Sequence, residues 1–89
     1  MKDTYLEVTF RRGRAIAAYY YLPRRPNQKS YKSRQVEPGL VVDFGRGGQP
    51  IGIEITSPQK LSLAALNRVL RQLGFAPVKR KELAPVLAA

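Results

Sequence analysis

The sequence contains neither cysteine nor histidine, and it sets only six acidic residues against sixteen lysines and arginines. Without cysteine there is no disulfide framework, no thiolate metal site and no cysteine nucleophile, so the fold must rely on packing. Without histidine the usual zinc ligand and neutral-pH general base is missing. No stretch approaches the roughly 20 apolar residues of a membrane span. The opening MKDTYLEVTF lacks the apolar core and small-residue cleavage site of a secretory signal. These absences lead to the expectation of a soluble, cytoplasmic protein with no membrane contact, no cofactor and no metal. The 89 residues fit one small domain, 1–89, whose limited core would gain from oligomerisation.

What is present is β patterning followed by one helix. In EPGLVVDFGRGGQPIGIEIT, residues 37–56, Leu40, Val42 and Phe44 alternate before a glycine-dense turn, and Ile51, Ile53 and Ile55 alternate after it. That is the signature of a hairpin with one continuous apolar face. Residues 4–12 also alternate, with Leu6, Val8 and Phe10 on the core side and Tyr5, Glu7 and Thr9 on the other. After a reversal at Gly13, AIAAYYYL reads as a strand that is apolar on both sides. Ile16, Ala18, Tyr20 and Leu22 lie on one side and Ala15, Ala17, Tyr19 and Tyr21 on the other, and both sides want cover. A helix is expected on the first, and a second copy of the chain on Ala15, Ala17, Tyr19 and Tyr21, giving a homodimer.

From Ser62 the period becomes helical. Leu63, Leu66, Val69, Leu70 and Leu73 share one side, and Asn67, Arg68, Arg71 and Gln72 the other. Ser62 is the expected N-cap and Gly74 the stop, with Phe75 packing back on the last turn. Residues 23–35, rich in Pro, Arg, Asn, Gln, Lys and Ser, read as a basic loop, and the chain from 75 as a tail in which Pro85 limits further helix. The predicted fold is α+β, a four-stranded antiparallel β-meander with one C-terminal helix packed on one face.

The pattern PGxxxD at 38–43, the glycine-rich turn and GIEI at 52–55 together resemble a family of short bacterial proteins catalogued as domain of unknown function twenty-two eighty-three. YLEVTF looks like that family's first strand, and SLAALNRVLRQLGFAPV like the C-terminal helix and tail of some members. The connection LPRRPNQKSYKSRQ is longer and more basic than the family's. The resemblance implies a fold more than an activity. Some members look like partners of small toxin genes, which implies a non-enzymatic interaction module in a toxin–antitoxin-like pair.

The formal charge of +10 is unevenly spread. From Arg11 to Arg34 the chain carries Arg11, Arg12, Arg14, Arg24, Arg25, Lys29, Lys32 and Arg34 with no acid between them. Such a field attracts nucleic acid, an anionic membrane surface or an acidic protein partner. The alternative function is therefore nonspecific nucleic-acid binding by segment 11–34, with tyrosines available to stack on unpaired bases. A remote third reading is a carboxylate–metal hydrolase built on Asp43 and Glu54, which lie on neighbouring strands of one hairpin. Against it stands a surface network in which Arg12, Arg14 or Arg34 neutralises both acids. GRGGQ, at 45–49, has neither the spacing nor the following helix of a phosphate-binding loop and reads as a hairpin turn.

Overall fold

The alternation at the start of the chain closes into a hairpin of β1 (Tyr5–Arg11) and β2 (Arg14–Tyr21). Arg12 and Gly13 form its turn with φ of 53° and 78°, a positive-φ pair whose twist suits a two-residue connection. A computed structural model of the chain describes residues 4–23 and 28–87. It adds β3 (Lys32–Glu37), β4 (Leu40–Phe44), β5 (Pro50–Ile55), helix α1 (Leu63–Gln72) and a terminal turn α2 (Ala84–Leu87).

The strands make one antiparallel sheet in the order β1-β2-β5-β4-β3. The four-stranded meander is therefore corrected to five strands, with β5 rather than β4 beside β2. The missing strand is Lys32–Glu37, whose first four residues composition assigns to the basic loop 23–35. Its sequence KSRQVE is nearly all polar because it is an edge strand, paired on one side only and exposed over most of its length. Backbone pairing to β4 holds it, and hydropathy does not report that pairing.

Across the middle of the sheet Tyr20, Ile53 and Val42 are direct neighbours on β2, β5 and β4, and all three are buried. Leu40, Ile51 and Ile55 extend this apolar face, and α1 covers it with Leu66, Val69 and Leu70. The Ala65 amide donates to Ser62 Oγ at 3.0 Å, the expected N-cap. At the other end the amides of Gly74 and Phe75 donate to the carbonyls of Arg71 and Leu70, satisfying groups the helix leaves open. Arg68 reaches Glu37 at the end of β3 through two 2.8 Å hydrogen bonds. Those bonds hold the Glu37 carboxyl below its usual range. Among the described residues no helix is long and apolar enough to cross a membrane.

The tail is part of the core. Val78, Leu83 and Val86 are buried with the sheet and helix residues. Asn67, on the polar side of the helical pattern, fixes the tail's entry: it donates to the Val78 carbonyl at 3.2 Å and accepts from the Val78 amide at 2.8 Å.

One irregularity in the first hairpin corrects two further expectations. Thr9 pairs with Ala17 but Phe10 pairs with Ala15, so Ile16 is an extra residue and β2 bulges. The bulge reverses the phase of the strand. Ala15 turns inward beside Ala18 and is fully buried, its carbonyl accepting from the Gln59 amide, so it does not share a face with Ala17, Tyr19 and Tyr21. Ile16 turns outward and is 46% exposed. Phe10, expected in the core, lies near the end of an outer strand opposite a small alanine and is 51% exposed.

Candidate functional site

The chemistry-bearing corner of the sheet lies where edge strand β3 meets the β4–β5 turn. Period-two alternation puts Lys32 and Arg34 on one side of β3 and Ser33 and Gln35 on the other. Phe44 ends β4 opposite Lys32 and is only half-buried, with the Arg34 guanidinium 5.6 Å from its ring centroid. The Tyr31 amide donates to the Phe44 carbonyl at 2.8 Å, extending the ladder one residue and leaving the Tyr31 ring 63% exposed.

The GRGGQ turn supplies the rest. The Gly45 amide bonds the Gln49 carbonyl at 2.8 Å and the Gly48 amide bonds the Gly45 carbonyl at 2.9 Å, so the segment is a hairpin turn as its glycines indicate. It projects Arg46 over the Tyr31 ring, 4.8 Å from the centroid. The Gln28 side chain lies against the turn, and a β-carbon at Gly45 would come within 2.7 Å of its amide nitrogen. Two adjoining hollows result, of about 350 and 470 Å3, which share Tyr31 and Arg46. Lys32, Arg34 and Phe44 line the first, and Lys29, Gln28 and Gln49 the second.

Among the described residues no acid lines either hollow. Two guanidinium groups rest on aromatic faces, which limits their motion while leaving their positive charge uncompensated. Two lysines add to the same field. The arrangement attracts anions and offers flat apolar surface beside each charge.

The fold divides the basic segment 11–34. Arg11, Arg12 and Arg14 sit at the tip of the β1–β2 hairpin, at the end of the sheet where Leu40 pairs with Ile55. Lys29, Lys32 and Arg34 belong to the other end, on the opposite outer strand or just before it. The two clusters occupy diagonal corners and do not form one surface. Arg24 and Arg25 lie outside the described residues. Arg46 was missed by the sequence reading because it falls outside the basic run. The signal available for it was an arginine placed among turn glycines, where a side chain cannot be buried.

The second expected site is not assembled. Asp43 pairs with Gly52, and Glu54 with Val41 and Tyr19, so the two carboxylates are not cross-strand partners. Hydroxyls, not arginines, hold Asp43: Tyr19 donates to it at 2.8 Å and Ser33 at 2.5 Å. Among the described residues neither acid is ion-paired with Arg12, Arg14 or Arg34, and no three acids gather as metal ligands would.

The sheet face away from α1 instead carries a tyrosine cluster. Tyr5 stacks on Tyr21 with centroids 4.4 Å apart, and Tyr19 meets Tyr21 edge-on at 4.7 Å. The Tyr21 hydroxyl donates to Glu7 at 3.1 Å, and partial burial together with that carboxylate raises its pKa. The Tyr19 ring lies directly across Gly52, where any β-carbon would overlap it. Gly52→Val is expected to cost about 1–3 kcal/mol by overpacking and to break the Tyr19–Asp43 bond. Urea unfolding and the tyrosine fluorescence of the folded state measure both. Unchanged stability would show that the ring leaves Gly52 without loss. No family model, curated protein or solved structure matches the chain.

Proposed function

We propose that the protein is a non-enzymatic binding module that holds a single-stranded nucleic acid, without base preference, along the groove formed by Lys29, Tyr31, Lys32, Arg34, Phe44 and Arg46. One observation carries the reading: two separate segments, 29–34 and 44–46, bring four cations and two partly exposed rings into one groove that no acid among the described residues lines. Phosphates suit the cations, and an unpaired base suits the open Tyr31 ring, the combination that gives sequence-tolerant single-strand binding. The groove's cations come from a sheet edge and a turn, not from an exposed helix, which favours backbone contacts over base-edge readout.

Titration of a labelled oligonucleotide across a salt series tests this. Each phosphate neutralised on a single strand contributes about 0.7 to the log–log salt slope. Arg34→Ala with Arg46→Ala should therefore lower that slope by roughly 1.4. Tyr31→Ala should weaken binding by about 1–3 kcal/mol and leave the slope unchanged. Replacing Arg11, Arg12 and Arg14 with Ala serves as the control and should have the smaller effect. Absence of binding at about 50 mM salt, a range in which such contacts are strong, would remove the proposal. So would a loss of affinity confined to the hairpin-tip variant.

A further inference from the structure

The face that α1 leaves uncovered has a charge pattern the groove does not use. Cross-strand register aligns Tyr5, Tyr21, Gly52, Asp43 and Ser33 in one row, and Glu7, Tyr19, Glu54, Val41 and Gln35 in the next. Thr9 and Ala17, with the bulged Ile16, form the third row along β1 and β2. Arg11 and Arg14 face each other in the fourth. Along this hairpin, acids thus lie one row to one side of Ile16 and arginines one row to the other. Among the described residues none of Glu7, Asp43 and Glu54 is ion-paired, in a chain of net charge +10. Arg11 and Arg14 are an exposed like-charge pair on adjacent strands, an unfavourable arrangement in isolation.

We propose that this face is covered by a second copy of the chain, in a face-to-face dimer with its strands antiparallel to those of the first. The two-fold axis runs across the strands at the level of Thr9 and Ile16. That operation exchanges the second and fourth rows. Arg11 of one copy then lies over Glu7 of the other, and Arg14 over Tyr19, between Glu7 and Glu54. The exposed Ile16 side chains meet near the axis, and Arg12 at the hairpin tip reaches the Tyr5–Tyr21 stack, a cation–π arrangement. Both halves of the complementarity belong to one surface, as an isologous interface requires. Strands running parallel would instead set Glu7 near Glu7 and Arg11 near Arg11, so the charges select the antiparallel arrangement. The bulge is essential because it turns Ile16 outward, where regular alternation would have buried it. The dimer is independent of the nucleic-acid reading, and the face it uses leaves both grooves open.

Sedimentation velocity from low to high micromolar concentration, at two salt concentrations, tests the arrangement. The chain should sediment as a dimer whose dissociation increases with salt. Ile16→Asp should raise the dissociation constant about 30-fold or more, as loss of a central contact does. Its far-ultraviolet circular dichroism should stay unchanged, because Ile16 is half-exposed in the single chain. Arg14→Glu and Glu54→Arg should each weaken the dimer, and the double variant should recover it. Within one chain these residues stand two rows apart, so recovery reports a contact between copies. A species that stays monomeric at high micromolar concentration would overturn the proposal, as would a dimer indifferent to Ile16→Asp. Failure of the double variant to recover the dimer, or a mass that grows beyond dimer, would overturn it equally.

Discussion

Ile53→Ala should cost roughly 2–5 kcal/mol, with a value in the upper part of that range. Ile53 is fully buried on the central strand, between Tyr20 of β2 and Val42 of β4. Two strands fixed by backbone hydrogen bonds flank it and a capped helix lies across the same face. The surroundings cannot collapse far into the space left by three lost methyl and methylene groups, so most of the cavity cost persists. Urea unfolding measures it. With a slope near 1 kcal/mol per molar urea for a chain of this size, the midpoint should fall by about 4 M. Gln72→Ala on the exposed side of α1 should change stability by less than about 0.5 kcal/mol. A loss below about 1 kcal/mol at Ile53 would contradict the burial of that face.

Removing the tail after Phe75 should have the larger effect still. It deletes the buried side chains of Val78, Leu83 and Val86, each contributing about 1.5–3 kcal/mol when fully buried. The combined loss approaches the whole stability of an 89-residue domain, about 4–13 kcal/mol at 0.05–0.15 kcal/mol per residue. The truncated chain should therefore be largely unfolded at 25 °C, seen as loss of the cooperative thermal transition. Asn67→Ala separates the latch from the packing. It leaves the buried Val78 amide and carbonyl without the partners that Asn67 supplies at 2.8 and 3.2 Å, at a cost of about 1–3 kcal/mol. Asn67→Asp keeps the acceptor and should fall between. A truncated chain that still melts cooperatively near the parent temperature would show that the tail lies on the core without stabilising it.

Several elements were legible from local pattern alone. Alternation located β1, β4 and β5, because one side of each strand is apolar and the other polar. The 3.6 period, Ser62 and Gly74 located α1 and both of its ends. The alternation at 40–44 and 51–55 also named Leu40, Val42, Phe44, Ile51, Ile53 and Ile55 as core residues, and all but the half-buried Phe44 are buried. The errors share one cause. β3 has almost no apolar signal, since backbone pairing on a single edge requires none. Leu83 and Val86 are isolated apolar residues in a tail without period, and only packing against a distant surface buries them. Ala15 and Ile16 exchanged sides because a bulge shifts side-chain phase by one residue, and nothing in RAIAAYYY marks where it falls.

The candidate groove shows the same division. Its cations Lys29, Lys32 and Arg34 were visible as charge, yet the sequence joined them to Arg11, Arg12 and Arg14 and left Arg46 out. By itself the sequence determined four of the five strands and helix α1, the excess of positive charge, and the absence of thiol and imidazole chemistry. These follow from residue identity and spacings of a few positions. Only the tertiary structure decided that β5 is central, that the basic run is split between diagonal corners, and that Arg46 rests on Tyr31. Those outcomes depend on strand order and register, which are fixed by the packing of segments tens of residues apart and leave no trace in any short stretch of the chain.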